Sequence, residues 1–444
     1  MKIEQFEDKG LAHFSYIVMS AGEIVVIDPA RNPQPYYEFA MLHDARIVAV
    51  IETHPHADFV SSHREIAHTK EAEIYTSKLT KANYTHNTFD DGDFFQVGHV
   101  ILHAINTPGH SPDSICVLVK DEQNKALALF TGDTLFVGDV GRPDLRESAG
   151  SITATAKSLA QHMYQSTRQK LMPLPDDVLI YPTHGAGSLC GKGIGDAKWS
   201  TLGDEKQHNK ALQPMPEDSF VDYLLADQPF VPVYFKYNVE LNKTGAPFYR
   251  ESTLAVPRLK PDCIFSKTGY FIDTRPAELF RQGHLEHAIN LQDGLKFETW
   301  LGSILAPGER FYLIAHTEET LETVIAKTAK IGYEKFIKGA VINPDNATKV
   351  SPTFEVETFK TNPDQFTIVD IRNSSESKEN KIFPQSLNIP LSELRLRATE
   401  IPTDKPVLVH CAGGYRSAIG ASIIAQAVPN QPVYDFGEEI KNFS

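Results

Sequence analysis

The chain of 444 residues has only four cysteines, Cys116, Cys190, Cys263 and Cys411. They are too few and too widely spaced for a disulfide framework. No apolar run approaches the roughly 18 residues needed to span a bilayer. The first residues, MKIEQFEDKG, lack the basic segment and apolar core of a secretory signal. Positive charge is also short: 43 basic residues face 57 acidic ones, for a formal net charge of −14. That balance argues against a nucleic-acid partner, which would require a strongly basic face. It also obliges any anionic substrate to find a local positive spot. These absences lead to the expectation of a cytoplasmic protein with free thiols, no nucleic-acid partner and no membrane association. What remains is ordinary for a folded protein, 41% hydrophobic and 23% charged, and long enough for about three domains.

The first half alternates short β-branched runs with amphipathic stretches. EIVVID (23–28), RIVAVIE (46–52), HVILHAI (99–105), ALALFTGD (126–133) and VLIYPTHG (178–185) read as strands. Residues 58–69 and 153–171 read as helical. From about 213 to 260 the proline-bearing, weakly periodic sequence reads as a linker. The second half contains a degenerate repeat: FIDTRP (271–276) matches TIVDIRN (367–373), and AINLQDG (288–294) matches SLNIPLS (386–392). FYLIAHTEET (311–320) likewise matches VLVHCAGGYR (407–416). Two copies of one α/β unit of about 100 residues account for this. The expected organisation is a metal-site domain over 1–235, then two similar α/β domains over 255–345 and 350–444.

Chemistry-bearing residues cluster just after the strands. His54, His56 and Asp58 lie in ETHPHADF, His110 in NTPGHSPDS, Asp133 in FTGDTLF and His184 in YPTHGAG. Imidazole nitrogens and carboxylates converging from strand-end loops are what a borderline divalent ion needs. HxHxD alone is moderately specific; followed in order by PGH, TGD and PTH it becomes highly so. The series resembles the metallo-β-lactamase superfamily, which implies an αβ/βα sandwich with metals at one edge. In two-metal hydrolases of that superfamily the residue after Asp58 is a histidine ligand; here it is Phe59, which favours one metal. Two histidines and one carboxylate with open positions opposite is the arrangement of non-haem Fe(II) oxygenases.

The branch resembled most is the persulfide dioxygenases, shared in GDVGRPDL (138–145), and within it the bacterial fusions with sulfurtransferase domains. That resemblance implies one Fe(II) per chain held by His54, His110 and Asp133, with His56, Asp58 and His184 orienting ligands and bound water. Arg142 has two readings, a binding site for the carboxylate or persulfide end of a thiol and a loop-shaping salt bridge. Cys190 also has two, a sulfur carrier near the metal and a small buried filler.

CAGGYRS (411–417) follows an apolar strand and precedes a helical stretch. Such a loop turns backbone N–H groups and a helix N-terminus toward the cysteine. With Arg416 these favour the thiolate, hence a nucleophile. Four residues separate Cys411 from Arg416, one fewer than in a cysteine phosphatase, so the cradle suits a sulfur chain rather than phosphate. Gly413, Gly414 and Ser417 are its substrate-binding candidates. The segment resembles the rhodanese family closely. The first copy resembles it too but has His316 in place of Cys411 within the acidic HTEETLE, which makes it a catalytically dead structural or docking domain.

The joint resemblance implies oxidation of a low-molecular-weight thiol persulfide by O2 to sulfite, and sulfur transfer through Cys411 to form thiosulfate, in sulfide detoxification. Its implied partners are the persulfide, O2, sulfite and further copies of the chain in a homo-oligomer. The alternatives are a mononuclear thioesterase similar to glyoxalase II, using metal-bound hydroxide, and a sulfur carrier or sensor.

Overall fold

The computed structural model describes residues 1–146, 154–266 and 268–443. Its contacts divide the chain into two compact units: Met1–Ser252 with the short segment Ala329–Gly332, and Thr253–Thr328 with Tyr333–Ser444.

The first unit is built on two six-stranded sheets. One runs in the order Lys2–Asp8, His13–Ser20, Glu23–Ile27, Arg46–Ile51, Glu73–Thr76, Asn87–Thr88. The other runs Ser200–Thr201, Leu179–Pro182, Ala126–Gly132, Ile115–Asp121, Val100–Asn106, Phe94–Val97. Alternation along each strand sends neighbouring side chains to opposite faces. Val25 and Ile27 therefore meet Leu102, Val117, Val119 and Phe130 between the sheets. Ile24 and Val26 face outward to Tyr36, Phe39 and Ile66 of flanking helices. On the far side Leu118, Leu129 and Ile180 pack on Ala160, Met163 and Phe220. Both sheets are covered on both faces, which is why their strands read as unbroken apolar runs. The αβ/βα sandwich expected from the sequence is present.

Two local expectations are corrected. Residues 58–69 are not one helix: the helix is His63–Lys70, and the chain before it is an irregular loop. The stretch 213–260 is not a linker, since it forms the helices Glu217–Leu225, Phe235–Thr244 and Tyr249–Leu254. Pro216 sits at the N-cap, where its missing N–H costs nothing, and Phe220, Val221 and Leu224 enter the core at helical spacing. The helix read over 153–171 comprises Ala156–Gln165 and a π-turn Ser166–Leu171; Thr153 lies outside the described residues.

The second unit holds two parallel sheets that share an order of four strands, the first sheet adding a fifth, Arg258–Leu259, at its edge. The sequence Ala288–Asn290, Tyr270–Asp273, Phe311–Ala315, Ile337–Ile342 corresponds to Leu387–Asn388, Thr367–Asp370, Val407–His410, Val433–Asp435. The correspondence extends to side chains. Arg275 clasps Asp273 as Arg372 clasps Asp370, and Asn290 and Asn388 donate to the equivalent backbone carbonyls. The repeats pack together: Tyr415 Oη donates to Gln292 O at 2.9 Å, and Asn290 N donates to Ser422 Oγ at 3.0 Å. Among the described residues no helix is long and apolar enough to cross a membrane.

Candidate metal centre and cysteine loop

Loops leaving one edge of the sandwich carry the histidines. His54, His56 and Asp58 follow the strand Arg46–Ile51, His110 follows Val100–Asn106, Asp133 follows Ala126–Gly132 and His184 follows Leu179–Pro182. All six side chains are buried. Asp133 Oδ2 lies 3.8 Å from His54 Nε2 and 3.5 Å from His110 Nε2. The ligand atoms of His54, His110 and Asp133 all fall within 4.8 Å of one another.

The rings are oriented from behind. His110 Nδ1 donates to the Arg142 carbonyl at 2.9 Å and His184 Nδ1 to the Ala12 carbonyl at 3.1 Å. Each Nε2 lone pair is thereby turned inward. Burial, then the neighbouring His56 and His110, holds His54 well below the usual imidazole value, and burial also lowers His110. Neutral imidazoles are the form that binds metal. Both carboxylate oxygens of Asp133 and Nε2 of His184 are buried without a hydrogen-bond partner. Converging, desolvated acceptors are costly unless a cation satisfies them, so these residues fit a divalent metal.

The remaining candidates separate into two further groups. Asp58, His184 and Cys190 place their ligand atoms within 4.8 Å of one another, as do Asp28, Glu52 and His56. His184 Nε2 stands 3.4 Å from Asp58 Oδ2 and 3.6 Å from Asp133 Oδ1, linking the first two groups. His56 turns its Nε2 to Asp28 Oδ1 at 3.1 Å. Burial alone would lower its pKa, but Asp28 and Glu52 outweigh that and raise it to about 9. Asp28 is itself anchored by Thr53 N–H at 2.7 Å and Thr53 Oγ1 at 2.9 Å. Phe59 lies between His56 and His13, with centroid distances of 4.4 and 3.8 Å.

Sequence reasoning missed the residue that shapes this loop. Asn242, on the helix Phe235–Thr244, donates to the carbonyls of His56 and Phe59, both at 2.8 Å, and accepts from Ser61 N–H at 2.9 Å. The stretch read as a linker therefore holds the metal loop in shape. Gly141 was missed too: a Cβ there would collide with Asp133 O and meet His110 at 3.0 Å.

Arg142, a candidate substrate-binding residue, requires correction. It is buried, donates to both Asp144 oxygens at 2.7 Å and to Leu189 O at 3.2 Å. The salt-bridge reading describes it, and its contact with the centre is its backbone carbonyl on His110. Cys190 is buried, and burial, then the charges of Asp133 and Asp58, push its thiol well up.

In the second unit, Cys411 closes the strand Val407–His410 and precedes the helix Tyr415–Ala427. It is 1% exposed, and its Sγ accepts the Gly414 N–H at 3.1 Å. Gly414 has φ +97°, and a Cβ there would meet Gly437 and Glu438 backbone at 2.9 Å, so the turn requires glycine. Ser417 Oγ donates to Gly414 O at 2.9 Å, which makes it a brace for the loop. Arg416 is not free beside the sulfur: it forms a bidentate pair with Glu376 at 2.7 and 2.8 Å. Glu376 also caps its own helix by accepting Asn373 N–H, a residue no cysteine-loop pattern reveals. Gly413 and Gly414 line a cavity of about 580 Å³.

Residues 8–184 match the metallo-beta-lactamase superfamily and residues 355–442 the rhodanese-like domain. The crystal structure of a metallo-beta-lactamase from Staphylococcus aureus is 32% identical, covers 77% of this chain and 99% of its own, and superposes with a TM-score of 0.68. The chain belongs to the metallo-β-lactamase superfamily and carries a rhodanese-like domain at its C-terminus. Among curated proteins, cytoplasmic hydroxyacylglutathione hydrolase of Arabidopsis thaliana is 30% identical over 39% of this chain. Mitochondrial persulfide dioxygenase ETHE1 of Homo sapiens is 28% identical over 38%. The matches span 63% of the length of each of these two relatives. Relatives of both chemistries therefore share the metal-binding fold.

Proposed function

We propose that the chain is a non-haem Fe(II) persulfide dioxygenase coupled to a rhodanese sulfurtransferase, oxidising a low-molecular-weight thiol persulfide and delivering thiosulfate in sulfide detoxification. The observation that carries the reading is Phe59, an apolar ring at the position where a second metal would need a histidine. Beside it, His54, His110 and Asp133 offer two imidazoles and a carboxylate from one side. Iron bound by these three supplies redox chemistry with O2 and affinity for sulfur. The surrounding residues keep His110 and His184 in one tautomer, exclude bulk water by burial, and hold His56 away against Asp28.

The first reaction is RSSH + O2 + H2O giving RSH, sulfite and two protons. In the second, the Cys411 thiolate attacks the outer sulfur of another persulfide, RS⁻ leaves, and the Gly414 N–H stabilises negative charge at the sulfur. Oxygen consumption by the full chain, with and without Fe(II), across a set of thiol persulfides tests the proposal. Iron-dependent uptake with sulfite or thiosulfate appearing is the expected result; no uptake from an iron-filled site would overturn it.

A hydrolase similar to glyoxalase II is the second reading. It is favoured by the likeness to cytoplasmic hydroxyacylglutathione hydrolase, 30% identical over 39% of this chain. Thioester hydrolysis by zinc-loaded protein, with no iron-dependent oxygen uptake, would establish it instead.

A further inference from the structure

Four basic residues lie around the Cys411 loop or approach it, and three are already paired with a carboxylate. Arg416 is clasped by Glu376 at 2.7 and 2.8 Å. Arg372 is clasped by Asp370 at 2.7 Å. Lys441, whose stem passes 3.7 Å from a Cβ built on Gly413, is paired with Glu438 at 3.0 Å. The fourth is Arg281, from the repeat that lacks a cysteine. It lines the same cavity of about 580 Å³ as Gly413, Gly414 and Tyr415. Among the described residues lining that cavity it is the one cation; no carboxylate clasps it bidentately as Glu376 clasps Arg416, and its charge acts on the Asp435 carboxyl of the same wall. The other charges on the wall are Glu278, Asp435, Glu438 and Glu439, which oppose any anion approaching the loop.

We propose that Arg281 is the acceptor-binding residue of the sulfurtransferase site, holding the oxyanion end of sulfite while its sulfur meets the persulfide on Cys411. This rests on the sulfurtransferase half of the function proposed above. A guanidinium presents paired donors in the geometry of an oxyanion, and one already clasped by a carboxylate has that face occupied. Arg416 is in that condition; Arg281 is not. The sulfite sulfur lone pair attacks the outer sulfur of Cys411–S–SH, the S–S bond breaks, and its electron pair and the proton remain with Cys411. The products are the Cys411 thiol and thiosulfate, with no external oxidant or reductant. The cysteine-less repeat thus contributes to the site as well as bracing the loop through Gln292 and Tyr415.

The test uses the full chain with Cys411 first loaded by a persulfide, loading being verified by intact mass, followed by thiosulfate release against sulfite concentration. Arg281→Met keeps the aliphatic stem and removes the charge. It should raise the KM for sulfite about ten-fold or more while changing kcat by less than about two-fold, the pattern of lost ground-state binding. Arg281→Lys should recover part of the loss. A sulfite KM within about two-fold of the parent in Arg281→Met would overturn the assignment while leaving the sulfurtransferase standing. Loaded parent protein that releases no thiosulfate at any sulfite concentration would overturn both, before any variant is compared.

Discussion

Phe59 stacks on His56 with ring centroids 4.4 Å apart and planes inclined by 27°. His13 covers the opposite side of Phe59 at 3.8 Å. The second histidine of the HxHxD series is therefore wedged against Asp28, and the residue that would complete a second metal site is an apolar spacer. Replacing that spacer gives the most direct test of stoichiometry. Phe59→His adds a third ligand beside Asp58 and His184, and metal analysis should rise from the proposed one ion per chain toward two. A variant that still holds one ion would show that something other than Phe59 limits the site.

Asn242 supports the same loop from a helix 186 residues away along the chain from His56. Asn242→Ala removes three buried hydrogen bonds and leaves two carbonyls and an amide without partners. The expected cost is about 2–3 kcal/mol in denaturant unfolding. Metal affinity should fall about ten-fold or more, as when outer-shell supports are lost. Unchanged affinity would mean that the loop keeps its shape without this residue.

The Arg416–Glu376 pair gives the cysteine loop a defined response to acid. Burial would raise the Glu376 carboxyl, but hydrogen bonds and charge from Arg416 outweigh it and hold the pKa below the usual 4.5. A carboxyl depressed in the folded state contributes stability that is present above its unfolded value and lost as pH falls below it. Resistance of the full chain to urea should therefore fall as pH drops below 4.5, and Glu376→Gln should show a shallower acid slope. Identical slopes would remove this pair from the account.

Three substitutions separate the two chemistries. Cys411→Ser should abolish thiosulfate formation and leave oxygen uptake. Gly414→Ala should do nearly the same through strain, since its φ of +97° and its 2.9 Å approach to Gly437 and Glu438 leave no room for a methyl group; the expected cost is about 1–3 kcal/mol. Asp133→Ala should empty the metal centre, and a variant still holding one ion would show that the ligand set is different.

The sequence by itself determined where chemistry would gather. HPHAD, PGH, TGD and PTH each end an apolar run; strands buried on both faces read as such runs, and their ends must emerge at the sheet edge. The repeat was legible because Asp273 and Asp370, with their neighbouring arginines, recur at matching places. Phe59 was visible as a missing ligand. Only the tertiary structure decided which way each polar side chain faces. Arg142 belongs to Asp144, Arg416 to Glu376 and His56 to Asp28. The helices Glu217–Leu225 and Phe235–Thr244 pack into the first unit, although prolines and weak periodicity disguised them. Those outcomes depend on partners brought near by folding, and a buried charge takes the best partner within reach. Local residue order places a side chain on a loop, whereas the competition among neighbours distant in sequence sets what it touches.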